Sequence, residues 1–320
     1  MRIERIIVNN YRGALQCDMV LKRGDNVAVF AGANGSGKTS LIEACRWCLG
    51  QNYGLRQVPE DQYEITVTVV GNDRSRYVIK RTPSQYIAMS EKGAVPVTSE
   101  LLSSIGTRLG NWYFTSWRDP LLTSGVDIQV GKENVPYVPG AMREETLEYI
   151  KSTLVRADVT SQFNKDVQQI SRVQDVFNRL SAARNMFFPN AQGTFVSRSM
   201  SPILPTGGFG SDTHKSDFKF ELYLKRNADS KLIAVNDLSS GELEVLCFLG
   251  VLLLNPALNT VYIDEPELHL NLQWHAMLLR ALQLVAPNVQ FIVGTHSAEV
   301  WESVYPSQRF LLKEGRCINV

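Results

Sequence analysis

The sequence predicts an α/β fold, with a mixed sheet covered by helices, a β-rich N-terminal lobe and a short helical insert. Three observations support this prediction. A glycine-rich run at residues 32–39 follows an apolar segment and precedes a helix-like one. Short alternating segments fill the N-terminal third, and helix and strand patterns alternate in the last third. The 320 residues suffice for one large domain or for a domain with an inserted subdomain.

The N-terminal third reads as strands bounded by turn residues. The predicted strands are Arg2 to Val8, Leu15 to Leu21, Asn26 to Ala31, Tyr63 to Val70 and Tyr77 to Lys80. Arg23-Gly24-Asp25 turns the chain into the third of these strands, and Gly71-Asn72-Asp73 is a good hairpin turn between the last two. We therefore expect a β-rich lobe around the glycine-rich run.

The glycine-rich run itself matches G-x-x-x-x-G-K-[ST] at every fixed position, between a strand and a helix predicted from Thr39 to Leu49. The glycines let backbone N–H groups curl around a phosphate, and the helix N-terminus adds partial positive charge. Lys38 is expected to reach the β- and γ-phosphates, and Thr39 to place its hydroxyl on Mg²⁺. The sequence therefore predicts a nucleoside triphosphate site. Its residues are Gly32, Asn34, Gly35, Ser36, Gly37, Lys38, Thr39 and Ser40.

The middle of the chain changes to helical spacing from about Glu144 to Phe188, and Pro189 stops the run. Its apolar stripe consists of Phe163, Val167, Ile170, Val173, Val176, Phe177 and Leu180. The preferred interpretation is a solvated face with one apolar stripe, on which Arg172, Arg179 and Arg184 are candidates for a contact surface. Gln192 to Ser211 is rich in Ser, Gly and Pro and is predicted to be a loop.

The last third begins with a strand pair and then alternates helices and strands, which predicts a parallel sheet covered by helices. The predicted segments are Phe218 to Arg226, Lys231 to Val235, Gly241 to Leu254, Thr260 to Asp264, Leu270 to Val285 and Gln290 to Gly294, followed by a hairpin of Phe310 to Lys313 and Arg316 to Val320. Three parts are expected: an N-terminal lobe at 1–140, a helical insert and loop at 141–215, and a C-terminal lobe at 216–320.

Composition narrows the class of protein. The net charge of +1 does not by itself predict a nucleic-acid surface. No stretch approaches the roughly 18 apolar residues of a membrane span, and charges interrupt the N-terminus where a signal peptide is apolar. Five scattered cysteines suggest reduced thiols and a cytoplasmic location. Cys45 and Cys48 form a C-x-x-C, but they lie on the helix after the glycine-rich run, where we expect buried packing.

Two further motifs point to hydrolysis. Val261-Tyr-Ile-Asp264-Glu265 is a largely apolar strand ending in acids. Asp264 is placed to hold Mg²⁺ directly or through water, and Glu265 to polarise the water that attacks the γ-phosphate. His296 follows the next strand, where an imidazole can hydrogen-bond the γ-phosphate and sense its loss. The alternative for His296 is a helix cap.

Leu238-Ser239-Ser240-Gly241-Glu242 is a second Ser/Gly turn that opens a helix. Alone it is an ordinary helix N-terminus with Ser239 or Ser240 as the cap. A chain with one complete phosphate loop has no evident use for a second anion site within itself. The simple resolution is that this turn serves the nucleotide of another subunit.

In this order the motifs resemble the ABC-type ATPase heads of the SMC, RecF and OLD group, from Arg2 to His296. The resemblance implies a P-loop NTPase of the ABC-ATPase head type that uses ATP and Mg²⁺. It also implies that Arg12 approaches the phosphates, and that Ser239 and Gly241 contact the γ-phosphate of a facing subunit in a homodimer or higher oligomer. Pro266 to His269 corresponds to the loop that communicates across such a dimer.

The chain departs from that group in three ways. The glutamine loop is not clear: Gln85 is one candidate, and Thr115 to Pro120, with Arg118 as its polar group, is the other. The insert is short and helical, so it lacks the long coiled coil of SMC proteins. About two dozen residues follow His296, fewer than the roughly fifty of a small domain, so we expect no OLD-type nuclease domain there.

The resemblance leads to two functional hypotheses. In the first, two chains close on ATP and open after hydrolysis, and so control a separate nuclease or toxin, as the ATPase components of bacterial anti-phage systems do. In the second, the chain is a RecF-like DNA-repair ATPase that binds duplex DNA in a salt-sensitive way. A nucleotide-binding scaffold without useful hydrolysis is a third reading, which Glu265 disfavours. Nucleic acid remains a candidate partner, and no membrane partner is expected.

Overall fold

The computed structural model describes residues 1–22, 24–51, 62–90, 93–106, 110–115, 126–128, 144–200 and 218–319. The strands in these residues are β1 (Arg2–Tyr11), β2 (Ala14–Val20), β3 (Val27–Ala31), β4 (Glu64–Val70), β5 (Arg76–Arg81), β6 (Tyr86–Ser90), β7 (Gly93–Pro96), β8 (Asn111–Phe114), β9 (Val126–Ile128), β10 (Gly193–Ser199), β11 (Phe218–Arg226), β12 (Leu232–Ala234), β13 (Thr260–Asp264), β14 (Gln290–Thr295), β15 (Arg309–Lys313) and β16 (Arg316–Asn319). The helices are α1 (Lys38–Cys48), α2 (Ser99–Ser104), α3 (Glu144–Asn164), α4 (Val167–Phe187), α5 (Ser240–Leu254), α6 (Leu272–Val285) and α7 (Ala298–Glu302).

The chain divides into two compact units. The described residues of Met1–Arg118 and Asn255–Val320 form the first, and those of Arg143–Leu254, together with β9, form the second. This division does not follow the boundary expected near residue 215, because β11 pairs with β10 and α5 packs on α3 and α4. The three functional parts at 1–140, 141–215 and 216–320 stay a prediction.

The first unit is built on one sheet of twelve strands in the order β7-β6-β5-β4-β1-β2-β16-β15-β3-β14-β13-β8. Strands β15, β3, β14, β13 and β8 are mutually parallel, whereas β1 pairs antiparallel with β2 and β4. The predicted mixed sheet and β-rich lobe are therefore present. Every strand and helix predicted for this unit is found, with small differences at the ends, and β6, β7, β8, α2 and α7 are additions that the sequence patterns did not indicate.

The register of the parallel strands places the functional motifs at one edge. Ala31 at the end of β3 pairs with Thr295 at the end of β14, and Gly294 pairs with Asp264 at the end of β13. All residues of β13 and β14 are buried, as expected for central parallel strands covered on both faces. The segments that follow these three strands therefore leave the sheet side by side.

Helix α1 covers this sheet through an apolar face. Leu41, Ile42, Cys45 and Cys48 have no exposed surface and pack in one core cluster with side chains of β1, β2 and β4. Burial raises the pKa of the Cys45 thiol to about 12 and that of Cys48 further. The prediction that the C-x-x-C pair serves packing is confirmed. The five cysteines of the chain all lie in its described part, and none forms a disulfide.

The second unit contains an antiparallel sheet, β10-β11-β12 with β9 paired to β11, and the helices α3, α4 and α5. The single helical run predicted from Glu144 to Phe188 is two helices. The break falls at Lys165, whose φ is +50°, and at Asp166, whose side chain accepts hydrogen bonds from the backbone N–H of Gln168 and Gln169. This Asp cap starts α4 and interrupts the helical repeat.

Two expectations about the second unit are wrong. The apolar stripe is buried only in the second half of α4: Phe177 is 4% exposed, but Val167 is 77% exposed. The loop predicted from Gln192 contains β10, because residues 193–199 pair with β11 along their whole length. Residues 201–211 of that loop, like Arg23 of the predicted turn, lie outside the described residues. None of the described helices is both long enough and apolar enough to cross a bilayer.

Candidate functional site

The loop between β3 and α1 has the backbone that a phosphate-binding loop needs. Gly35 and Gly37 have φ of +77° and +99°, in the left-handed region that favours glycine. A Cβ at Gly37 would lie 2.5 Å from the carbonyl oxygen of Gly13. The first N–H groups of α1 have no partner within the helix, and they begin where this loop ends. Asn34 is exposed at the loop's outer side.

Ser36 supplies an observation that fits a phosphate ligand. The residue is 5% exposed, and its Oγ makes no hydrogen bond with any residue that the structure describes. A buried hydroxyl without a partner is costly, so such a group indicates an acceptor or donor that the protein chain does not itself provide. Phosphate oxygens in the loop would satisfy it.

Lys38 lies inside the same loop. Its ammonium donates to the carbonyl oxygens of Gly32, at 3.0 Å, and Ala33, at 3.3 Å. Burial lowers the pKa of Lys38, and the nearby carboxylates, Glu265 first among them, oppose that shift. The cation is thus held at the loop centre with carboxylates within electrostatic range. The phosphate contact predicted for Lys38 stays a prediction.

The two residues predicted to hold Mg²⁺ touch each other. The Thr39 hydroxyl donates to Asp264 Oδ2 at 2.7 Å, and Asp264 is fully buried at the end of β13. A hydroxyl and a carboxylate side by side are oxygen donors of the kind that Mg²⁺ prefers, and this pair sits at the first turn of α1. The donor set therefore fits the metal that the motifs imply.

Glu265 and His296 meet at the same edge. His296 Nε2 lies 2.8 Å from Glu265 Oε1 and 2.8 Å from Lys38 Nζ. One imidazole nitrogen cannot accept a hydrogen bond from Lys38 and donate one to Glu265 at the same time. Lys38 Nζ also lies 3.3 Å from Nδ1, so an imidazole protonated at Nε2 can donate to Glu265 and accept from Lys38 through Nδ1. Glu265 has φ of +52°, and its N–H donates to the Gly294 carbonyl at 2.7 Å.

Arg12 occupies the turn between β1 and β2, beside the loop. Its guanidinium pairs with Glu43 of α1 at 2.7 Å, and the next residue, Gly13, donates its N–H to Ser40 Oγ at 3.3 Å. The turn thus abuts the residues of the phosphate loop. The contact with phosphates predicted for Arg12, and the role of Ser40, stay predictions.

Glu267 lies in the loop from Pro266 to His269, and the sequence assigned it no contact of its own. Its Oε1 accepts the N–H groups of His296, at 2.5 Å, and Ser297, at 3.1 Å, and its Oε2 accepts the Thr295 hydroxyl at 2.7 Å. The carboxylate thereby joins the loop after β13 to the segment after β14. The parallel pairing of these two strands, read together with an acid three residues past Asp264, was the signal available in the sequence.

The second Ser/Gly turn lies in the other compact unit. Ser239 Oγ accepts the Glu242 N–H at 3.4 Å, and Glu242 Oε2 accepts the Ser239 N–H at 3.1 Å. This reciprocal pair is a capping box, so the helix-cap interpretation is confirmed with Ser239 as the cap. Ser240 and Gly241 form the first turn of α5. A role of this turn toward a facing subunit remains a prediction.

Arg184 corrects an expectation. The sequence analysis offered it as part of a contact surface, but its side chain is 1% exposed and forms an ion pair with Glu242. It also donates to the carbonyl of Ala191, and its guanidinium lies 4.3 Å from the Phe188 ring centroid. Arg172 and Arg179 are exposed, as predicted. Arg184 of α4 therefore holds the carboxylate of Glu242, which forms part of the cap of α5, by an ion pair.

The position of the glutamine loop stays open. Gln85 is exposed in the turn between β5 and β6, and Arg118 lies outside the described residues. Five predicted residues, Lys38, Thr39, Asp264, Glu265 and His296, are brought together at the carboxyl ends of β3, β13 and β14.

The sequence of residues 27–302 matches the protein family described as "AAA domain, putative AbiEii toxin, Type IV TA system". This match covers most of the chain, including every motif discussed above except Arg12. The chain belongs to this family.

Three other proteins match shorter stretches of this sequence. The "Retron Ec83 probable ATPase" of Escherichia coli is 33% identical over 96 residues, and the "Retron Vc95 probable ATPase" of Vibrio cholerae is 32% identical over 94 residues. Each match spans 26% of this chain and 18% of the relative. The "DNA replication and repair protein RecF" of Glaesserella parasuis is 52% identical over 44 residues, 14% of this chain and 12% of the relative.

Solved structures show that the chain has the fold of SMC head domains. An SMC head bound to the C-winged helix domain of ScpA has a TM-score of 0.61 at 12% identity, covering 100% of this chain and 97% of that one. The SMC head domain from Thermotoga maritima has a TM-score of 0.55 at 14% identity, covering 100% and 99%. The fold class predicted from the motifs is confirmed.

Proposed function

We propose that this chain is an ATP-driven switch in the cytoplasm that controls a separate effector protein in bacterial anti-phage defence. It binds and hydrolyses ATP, and two copies close on the nucleotide and open after hydrolysis. The observation that supports hydrolysis is the convergence of Lys38, Thr39, Asp264, Glu265 and His296 at one sheet edge. The retron ATPase relatives and the family's toxin–antitoxin description support the effector.

The chain's own residues suggest how the reaction proceeds. The loop N–H groups and Lys38 bind and orient the phosphates, and Ser36 gains the partner that its buried hydroxyl lacks among the described residues. Thr39 and Asp264 would hold Mg²⁺, which would supply positive charge to the phosphates. Once the Lys38 ammonium engages phosphate, His296 Nε2 donates to Glu265 and orients that carboxylate toward the attacking water. Glu265 accepts a hydrogen bond from the attacking water and so raises the nucleophilicity of the water oxygen.

Closure of two copies follows from the second Ser/Gly turn. Ser239 is exposed and Gly241 is buried at the N-terminus of α5, which carries partial positive charge. In the proposed dimer they contact the γ-phosphate bound by the facing copy. Hydrolysis removes those contacts, and this difference in affinity shifts the equilibrium toward the open state.

The deciding experiment uses Glu265→Gln, which removes the reacting carboxylate while keeping its size. We would measure its mass by light scattering with and without ATP and Mg²⁺, and phosphate release by the wild-type chain. A mass that doubles only with ATP supports the switch. An assembly unchanged by ATP means a constitutive complex, and a monomer in both conditions refutes the homodimer. Glu302→Gln, an exposed acid on α7, is the matched charge control.

A RecF-like DNA-binding ATPase is the second candidate, supported by the 52% identical stretch. It differs in a measurable way, because DNA binding by basic side chains weakens steeply with salt. Anisotropy of a labelled duplex with the Glu265→Gln chain and ATP separates the two candidates. ATP-dependent binding that weakens as the salt concentration rises from about 50 to about 200 mM favours the DNA candidate. No binding at either concentration favours effector control.

A further inference from the structure

The contacts of Glu267 are unusual for an acid in a loop. Three hydrogen-bond donors converge on its half-buried carboxylate, and all three come from the consecutive residues Thr295, His296 and Ser297. Two of these donors are backbone N–H groups, so the carboxylate holds the main chain rather than a side chain. Hydrogen bonds to a charged acceptor are stronger than those between neutral groups.

The segment held in this way carries the imidazole of the site. His296 reaches Lys38 and Glu265 only if its Cα lies where β14 ends, and its own side chain is partly exposed and therefore free of tight packing. His275 of α6 adds a second tie, because its Nδ1 lies 3.0 Å from Ser297 Oγ and its Nε2 3.3 Å from the Leu270 carbonyl. Both ties connect residues 267–275 to the residues around His296.

We propose that Glu267 is a positioning residue for His296. It fixes the backbone of residues 295–297 so that the imidazole stands between Lys38 and Glu265, and it acts on the reaction only through His296. This inference rests on the proposed ATP hydrolysis. The alternative is that Glu267 itself takes part in the reaction as a base or a metal ligand.

Conservative substitution separates the two roles. In Glu267→Gln the amide oxygen still accepts the two N–H groups, and the amide nitrogen can donate to the Thr295 hydroxyl, so the tie survives without the charge. Glu267→Ala removes it. We expect kcat to fall by at least about tenfold in Glu267→Ala, with KM for ATP little changed, since misplacing a reacting group by an ångström costs up to about a hundredfold. Glu267→Gln should retain most of the wild-type kcat, as should the control Glu302→Gln.

A double-mutant cycle tests the route through His296. If Glu267 works only by placing the imidazole, Glu267→Ala should cost little further activity in a chain that already carries His296→Ala. Additive losses would overturn the proposal, and so would a Glu267→Gln chain as inactive as Glu267→Ala.

Amide hydrogen exchange provides a readout that does not depend on turnover. The His296 N–H donates to the Glu267 carboxylate, and the Ser297 N–H is shared between that carboxylate and the Thr295 hydroxyl. Exchange at His296, followed in a peptide covering residues 295–298, should therefore accelerate in Glu267→Ala and stay unchanged in Glu302→Gln. Unchanged exchange in Glu267→Ala would overturn the proposal. A wild-type chain that releases no phosphate would refute the ATPase function, whereas the exchange measurement would still decide whether Glu267 holds the His296 segment.

Discussion

Replacing Arg184 with Met tests whether a buried ion pair supports the Ser239 turn. The Arg184 side chain is 1% exposed and that of Glu242 is 18% exposed, so water screens this pair weakly. Burial lowers the pKa of Arg184, and the bond to Glu242 opposes that shift. Met fills the volume of the arginine stem but cannot bond to Glu242 or to the Ala191 carbonyl.

The expected cost follows from these contacts. Removing one partner of a buried pair costs about 3 kcal/mol at the lower end of measured values. At roughly 2–4 °C per kcal/mol for a domain of this size, the melting temperature of the second unit should fall by about 6–12 °C. Glu242→Gln should cost at least as much, because it leaves the more deeply buried charge without its counterion. The double variant should lose less than the sum of the two.

The assay is thermal unfolding of the full chain followed by circular dichroism, with Arg179→Met as the matched control. Arg179 lies on the same helix but is exposed, so its loss should be nearly neutral. If Arg184→Met melts within about 1 °C of Arg179→Met, the pair contributes nothing net, and its part in shaping the Ser239 turn must be abandoned.

Three further outcomes are expected. Gly37→Ala should destabilise the chain by about 1–3 kcal/mol in urea unfolding, because φ of +99° and the Gly13 carbonyl 2.5 Å from the new Cβ both oppose it; an unchanged midpoint contradicts the loop geometry. Lys38→Met should abolish the stabilisation that ATP and Mg²⁺ give the wild-type chain, which is about 2.7 kcal/mol at a hundredfold excess over Kd. The measurement is the rise in melting temperature on adding ATP and Mg²⁺, and a rise retained in Lys38→Met contradicts the site. Burial raises the pKa of Cys17 to about 11 and that of Cys45 to about 12, from 9.0. Above pH 9 the unfolded chain therefore releases thiol protons that the folded chain keeps. Each thiol then lowers the free energy of unfolding by up to about 1.4 kcal/mol per pH unit. Melting at pH 8 and pH 10 checks the sign, and equal stability at both contradicts it.

Much of the first unit was predictable because its signals are local. The phosphate-loop pattern specifies glycines at left-handed positions, and apolar runs such as β13 and β14 identify buried parallel strands. Strands β6 and β7 and the short helix α2 were missed because their patterns are brief and partly exposed. Their place is decided by pairing at the sheet edge, which a single strand's sequence does not encode.

The second unit shows where periodicity fails. One helical stripe suggested a continuous helix across Lys165, yet the Asp166 side chain satisfies the first N–H groups of a new helix. Likewise, β10 was hidden in a segment rich in Ser and Gly, because its partner β11 lies some twenty residues further on and supplies the hydrogen bonds. A local cap therefore overrides the periodicity at Asp166, whereas long-range pairing overrides local composition in β10.

The acids of the motifs show how environment separates reactive carboxylates from structural ones. Glu242 accepts a hydrogen bond from one backbone N–H group and Glu267 from two, so each carboxylate holds a turn in place. Glu265 contacts the imidazole of His296, and its own backbone is strained at φ of +52°. The distance of an acid from a strand end predicted a catalytic role for Glu265, whereas it placed Glu267 only within the loop from Pro266 to His269. Backbone N–H groups that face a carboxylate indicate a structural role for it, since they occupy lone pairs that would otherwise accept a hydrogen bond from water.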